Sequence, residues 1–361
     1  MIRKLTKTFF SSGIHGLGLD NLIGARNGTE CMPLIVCYHR VVKDFEDSAS
    51  RSIAPMLLSV STFEKHLDWI GNHYDIVSLD EMAPMLEGES SRCKNLAAIT
   101  FDDGYSDVYH NAYPILRKRN IPATVFAVSN MVGTTQIQIH DELYLLISGA
   151  LTQWELATEK LDNCLSELNI SHKLDCSMQG FGNDSFRITR ALLKNLGISD
   201  INNVIKLMKD SVYLEPDVLS EFYSADWDML REMEKHNVCV GSHTRSHILL
   251  PNEPPEKVLD EVQGSRDLFK EKMNKEIYHF AYPNGSFNRE TVDAVASAGY
   301  EYAYTTCKHQ DPDFPMLTIP RRVFWENSSV SSFSNFSPAI MSCQINGIFD
   351  PADLCRQNHF V

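Results

Sequence analysis

Four short apolar runs in this chain each end in a cluster of polar residues, and that pattern constrains the fold more than any other feature. Leu34-Ile35-Val36-Cys37 leads into Tyr38-His39-Arg40, and Ala97–Phe101 into Asp102-Asp103-Gly104. Val238–Val240 leads into Gly241-Ser242-His243, with His247 four residues on, and Ile277–Ala281 into Tyr282-Pro283-Asn284-Gly285. Such runs, and the similar Ala123–Val128 and Tyr302–Thr305, read as buried strands. Helix-patterned segments lie between several of them. Phe63, His66, Leu67 and Ile70 recur at helical spacing behind a Ser/Thr cap, and Val258, Leu259, Val262, Phe269 and Met273 form a stripe opened by Pro254-Pro255. Arg289 to Gly299 reads as a helix ended by glycine. Strands alternating with helices predict an α/β fold with a parallel sheet or barrel. In a barrel the carboxyl ends of the strands converge on one face, where residues distant in sequence meet. Four polar clusters at four strand ends therefore point to one active site.

Residues 134–225 interrupt the rhythm with helix-prone sequence and read as a helical insertion, a cap near the active face. The expected organisation is an N-terminal helical segment over 1–30, a barrel from 31–133 and 226–330 around the insertion, and a C-terminal extension over 331–361. The 33 Lys and Arg against 47 Asp and Glu leave a net charge of −14 in 361 residues, which repels phosphate backbones, so no nucleic-acid partner is expected. Nine cysteines without a Cys-x-x-Cys pair read as free thiols of a reducing compartment. The basic N-terminus lacks the apolar region of a cleaved signal peptide, and no run approaches the roughly 20 apolar residues of a membrane span. The first 22 residues read as an amphipathic helix on the domain surface, with peripheral membrane contact as the alternative. The expected location is the cytoplasm, at the inner face of the membrane where such contact is made.

Asp102 and Asp103 stand at a strand end before glycine, where the chain turns and both carboxylates can look into the mouth. Alone, Asp-Gly is ordinary turn chemistry. Two neighbouring carboxylates also suit divided labour, one on a metal and one free as a base. His243 and His247 share a face if a helical turn begins there, and two imidazoles with a carboxylate form a catalytic metal set. An isolated pair at this spacing is more often structural; together with the Asp-Asp pair the balance reverses. His140-Asp141-Glu142 reads instead as a solvated helix start, and His110 and His309 show no partner spacing.

The strings Thr100-Phe101-Asp102-Asp103-Gly104-Tyr105, Ser242-His243-Thr244-Arg245-Ser246-His247 and Phe280-Ala281-Tyr282-Pro283-Asn284-Gly285 resemble the polysaccharide deacetylase superfamily, carbohydrate esterase family four. The resemblance covers roughly 34–130 and 225–325. It implies a distorted (β/α) barrel with fewer than eight regular units. It also implies that Asp103, His243 and His247 ligate one divalent metal, that Asp102 is the general base, and that a backbone N–H near Asn284 receives the oxyanion. Zinc is the default, with cobalt, nickel or manganese as alternatives. Two departures stand out: Ala281 occupies a position where the family often has arginine, and no late Leu-x-His supplies an acid. The subgroup that includes the poly-N-acetylglucosamine deacetylases resembles this chain more closely. By that resemblance His39, in Tyr38-His39-Arg40, is the general acid, and Arg321, with Arg322 as the alternative, pairs with Asp102. Tyr282, Pro283 and Trp325 are candidate substrate contacts. The implied function is metal-dependent removal of an acetyl group from an N-acetylated sugar of a glycan or glycan precursor. Hydrolysis of a small non-sugar amide or cyclic imide, or a silent glycan-binding module, are the competing readings.

Overall fold

Eight parallel strands frame the computed structural model, which describes residues 2–26, 32–88, 95–174, 177–308 and 310–350. They are β1 (Leu34–Tyr38), β2 (Leu96–Phe101), β3 (Ala123–Ala127), β4 (Val238–Ser242), β5 (His279–Ala281), β6 (Tyr302–Thr305), β7 (Ile319–Pro320) and β8 (Arg322–Val323). Their order in the sheet is β7-β6-β5-β4-β3-β2-β1-β8. A two-residue strand, Asp75–Ile76, pairs with the first two residues of β2, and β3 takes over from Thr100. The six runs read from the sequence are β1 to β6. They are legible because strands of a parallel sheet, covered on both faces, are continuously apolar; every residue of β1, β3 and β6 is buried.

The closure is a matter of one residue. β7 pairs with β6 and β8 pairs with β1, so these two-residue strands lie on opposite edges of the sheet, yet only Arg321 separates them in the chain. The edges must therefore meet at Arg321, and the sheet is nearly closed into a barrel. The Arg321 N–H donates to the Thr305 carbonyl on one side of this seam, and the Phe324 N–H donates to Cys37 on the other. Crossover helices include Val60–His73, Tyr113–Arg119, Pro255–Met273 and Arg289–Ser297. The link from β6 to β7 has no α-helix among the described residues, so there are fewer than eight regular units.

Alternate strand residues separate into two apolar clusters, as the period of a strand requires. Val36, Ile99, Val125 and Phe280 pack with the helical Phe63, Leu67, Val262 and Val292. Their neighbours Ile35, Ala98, Phe126 and Ala281 form a smaller interior cluster. Helix Leu79–Leu86 adds Leu79, Met82 and Ala83 to that cluster. The helix begins at a capping box in which Ser78 and Glu81 satisfy each other's backbone N–H.

Between β3 and β4 lie helices Ile139–Gln153, Ala157–Glu167, Ser185–Asn195 and Ile198–Lys209. They bury a separate cluster that includes Leu143, Leu146, Ile188, Leu192 and Val204, and every buried member of it falls between Ile139 and Val212. The N-terminal helix Ile2–Gly16 packs on the C-terminal helix Pro338–Ile345, and just past it Asp20 accepts a hydrogen bond from the Ser342 hydroxyl at 2.6 Å. Parts of both expected end segments (27–30 and 351–361), together with Cys31, Cys93, Cys176, Cys355 and His309, lie outside the described residues.

Candidate active site

The barrel gathers the singled-out polar residues at its carboxyl end. After β2 the chain turns through two consecutive left-handed residues, Asp103 (φ 71°) and Gly104 (φ 70°). Glycine is required at the second: a Cβ there would lie 2.8 Å from the Ala127 Cβ. At Asp103 the same conformation is a local cost of order 1–3 kcal/mol that the surroundings must impose. The Gln138 amide donates to the Asp103 carbonyl at 3.0 Å, and Ala225 N–H to the Gly104 carbonyl at 2.8 Å, which pins the turn.

The turn sends the two carboxylates to different partners. Asp102 makes a bidentate pair with Arg321, both N···O distances 2.7 Å, and both groups are buried. Burial works against its charge, but the Arg321 guanidinium, aided by His243, holds its pKa below the ordinary value. Arg322, the alternative partner, instead pairs with Asp350 at 2.7 Å. The Cys37 thiol also donates to Asp102, at 3.3 Å, and Cys37, His39 and Asp102 bring their polar atoms within 4.8 Å of one another. His39 is half-buried and its Nδ1 has no hydrogen-bond partner.

Asp103 faces two imidazoles. His243 donates from Nδ1 to the Ala281 carbonyl at 2.7 Å, which leaves Nε2 as its ligand atom, 3.5 Å from Asp103 Oδ1. His247 Nε2 lies 3.0 Å from the same oxygen in a geometry that makes no hydrogen bond. The expected helical turn at 243–247 is absent: residues 244–246 form a turn with Thr244 at φ 68°, followed by His247 at φ 56°. What shapes it is the buried Glu261 carboxylate, which accepts from the N–H groups of Arg245 (3.0 Å) and Ser246 (2.9 Å). Burial pulls the His243 pKa down to about 4, whereas for His247 the Asp103 charge outweighs burial and raises it.

The donor set fits a divalent cation. Both Asp103 oxygens are buried and lack a hydrogen-bond partner, a costly state that calls for positive charge close by, from a cation or from a protonated imidazole such as His247. Asp103, His243 and His247 each offer one ligand atom within 4.8 Å of the others, and one oxygen with two imidazole nitrogens suits zinc and its neighbours.

The candidate substrate contacts fare differently. Tyr282 is fully buried: its hydroxyl donates to the Leu317 carbonyl at 3.0 Å and its ring packs on Phe280 and Phe287. The reason is strand alternation, which puts Tyr282 on the same helix-facing side as Phe280, so it has no face open to a sugar. Pro283 is buried as well. Trp325 is half-buried just beyond β8. Asn284 is exposed in the turn after β5, at φ 56°.

His140 and Asp141, read as a solvated helix start, are buried in the site. His140 Nδ1 lies 3.3 Å from His247 Nδ1, and its Nε2 lies 3.9 Å from Asp103 Oδ2. Tyr105 bonds both insertion residues through its hydroxyl, His140 Nε2 at 2.9 Å and Asp141 Oδ2 at 2.6 Å. Burial pushes the Asp141 carboxyl up to about 7 and the His140 imidazole down to about 3. No local pattern distinguishes such a pair from a polar first turn, because its partner lies far away in sequence.

Fold and site together define a class: a (β/α) barrel whose strand ends gather an Asp/His/His donor set beside an arginine-paired carboxylate. The chain belongs to the polysaccharide deacetylase family, whose model matches residues 89–163 and 190–303, more than half of its length. It is similar to a poly-beta-1,6-N-acetyl-D-glucosamine N-deacetylase of Staphylococcus aureus, 31% identical over 175 residues that make up 45% of this chain and 60% of that protein. The chain spans 57–60% of the length of the curated relatives it matches. Among solved structures, the Streptococcus pyogenes deacetylase PplD in complex with acetate shares the fold at a TM-score of 0.52 and 17% identity, over 87% of this chain and 97% of that one. IcaB from Ammonifex degensii does so at 0.52 and 16%, with the same coverage.

Proposed function

We propose that this chain removes the N-acetyl group from an N-acetylated sugar of a glycan or glycan precursor, releasing acetate. The observation that carries the proposal is the Asp103 carboxylate, buried with no hydrogen-bond donor, between two imidazoles and beside the Asp102–Arg321 pair. The similarity to a poly-beta-1,6-N-acetyl-D-glucosamine N-deacetylase supports the choice of substrate class.

Asp103, His243 and His247 would hold a divalent ion, for which zinc is our assignment, and when bound it would supply polarisation of an amide carbonyl and acidification of water. The rest is the work of the chain. Asp102, kept ionised by Arg321, takes the proton of the attacking water. Its bidentate pair also fixes the carboxylate, so the base has one orientation. The Asn284 N–H, in its left-handed turn, receives the developing oxyanion. His39, close to Asp102 and with an unpartnered nitrogen, gives a proton to the departing amine. Acetate and a free amino sugar result. Of the three candidate contacts, Trp325 remains as the stacking surface.

Acetate release from β-1,6-linked N-acetylglucosamine oligomers, with and without added zinc, tests the proposal. Release that requires zinc and disappears in Asp102→Asn supports it. Turnover of ureides or cyclic imides with no acetate from sugars would replace it by the small-amide reading.

We place the protein in a reducing compartment, a reading supported by the free thiols Cys37, Cys164, Cys239, Cys307 and Cys343. No helix among the described residues is long and apolar enough to cross a membrane. The exposed Phe9, Phe10, Leu17 and Leu22 support peripheral membrane contact. Co-sedimentation with anionic vesicles that Phe9→Ser leaves unchanged would remove that contact.

A further inference from the structure

We infer that His140, delivered by the first helix of the insertion, orients the imidazole of His247 as one link of a buried hydrogen-bond chain that runs His247–His140–Tyr105–Asp141. The inference rests on the reading of Asp103, His243 and His247 as ligands of a divalent cation.

The two histidine ligands are supported in different ways. His243 donates its Nδ1–H to a barrel carbonyl, that of Ala281. Among the described residues, His247 Nδ1 meets a side chain instead, His140 Nδ1 at 3.3 Å. With Nε2, the nitrogen nearer Asp103, turned to the cation, the His247 proton sits on Nδ1. His140 Nδ1 then has to accept it. That choice puts the proton of neutral His140 on Nε2, 2.9 Å from the Tyr105 oxygen, and Tyr105 donates onward to Asp141 Oδ2 at 2.6 Å. Each link has one donor and one acceptor, and the direction is the same throughout, from the cation site outward to a carboxylate. Tyr105 is 1%, His140 6% and Asp141 0% exposed, so water does not compete for these bonds. Arg40, beyond the chain, lies over the Tyr105 ring at 5.0 Å.

His247 stands in need of such support. Its φ of 56° is uncommon for a residue other than glycine, and its loop is held at Thr244 and Glu261, which fixes the backbone but not the ring. Gln138, two residues before His140, holds the Asp103 carbonyl. One short segment at the entry to the insertion therefore touches two of the three ligands. His140 is a positioning residue, and it makes the insertion a part of the cation site.

Zinc affinity of the full chain, measured by competition with a chromophoric chelator, tests this with His140→Ala, His140→Gln and Tyr105→Phe. His140→Ala should bind zinc about 10–100-fold more weakly, the usual effect of losing a partner of a ligating histidine. His140→Gln keeps an acceptor for His247 and a donor for Tyr105, and should recover most of the loss; Tyr105→Phe should fall between the two. Thermal unfolding of the zinc-free proteins, run alongside, separates affinity from packing. If His140→Ala does not fold, the Gln and Phe variants carry the same comparison. Wild-type zinc binding with no loss in His140→Ala, or equal losses in the Ala and Gln variants, overturns the positioning role alone. A wild type that binds no zinc overturns the cation reading and this inference with it.

Discussion

The barrel and the insertion solve the same problem, burying apolar surface, with different consequences for the site. In the barrel, long-range strand pairing fixes where each strand ends, and the ends supply Asp102, Asp103, His243 and, at the seam, Arg321. In the insertion, four helices cover their own cluster and, among the described residues, no strand joins the sheet. Yet its entry residues Gln138, His140 and Asp141 are buried like Asp103 and His243. A region with a separate core can still be part of one site, because a few buried polar contacts at the junction suffice to couple them.

That contrast can be broken or sharpened by experiment. The largest effect is expected at the seam. Arg321→Ala leaves Asp102 buried and unpaired and should lower stability by about 3–5 kcal/mol, read from urea unfolding. A loss under about 1 kcal/mol would mean that the seam does not hold the barrel closed. Next comes His39→Ala, which should lower turnover roughly 10²–10⁴-fold with zinc stoichiometry intact; unchanged turnover removes His39 from the mechanism.

Smaller changes ask whether the two cores are separate. Ile188→Val in the insertion and Ile99→Val in the barrel, both fully buried, should each cost about 1 kcal/mol. If the cores melt independently, each substitution shifts its own transition in a scan monitored by circular dichroism. One transition moved equally by both would merge them into a single cooperative unit.

The remaining effect concerns pH and belongs to the barrel alone. His66 bridges the Tyr38 hydroxyl (3.0 Å) and the Ser329 hydroxyl (2.6 Å), and burial lowers its pKa to about 3. Because the folded value lies below the unfolded one of about 6.5, the unfolded chain binds the proton more readily between the two. Barrel stability is therefore fully present above pH 6.5 and declines as pH falls from there toward 3. His66→Gln should flatten that decline between pH 7 and 5, and an unchanged slope would assign it to other groups.

The barrel strands were legible one by one because a buried parallel strand is written as a continuous apolar run, and the reactive pairs because they stand where such runs stop. The arginine partner of Asp102, by contrast, could be narrowed only to Arg321 or Arg322. Adjacent residues point to opposite sides, and the two-residue strands around them carry no periodicity of their own. Tyr282 was misread for a related reason. A strand end says where a residue stands along the chain, whereas alternation with Phe280 decides which side it faces.

The sequence by itself determined the alternation of strand and helix, the positions of Asp102, Asp103, His243 and His247 at strand ends, and the helical character of 134–225. These follow from local periodicity and turn chemistry, which act over a few residues. Only the tertiary structure decided that the sheet closes at Arg321, that Tyr282 belongs to the core and that His140 stands beside His247. The closure and the His140 contact depend on pairings across roughly a hundred residues or more of chain, such as the 107 between His140 and His247 and the 219 between Asp102 and Arg321, whereas the side Tyr282 takes follows from the face its strand turns to the helices. No local signal encodes such pairings; they exist only once the packed barrel brings the partners within hydrogen-bonding range and excludes the water that would compete for them.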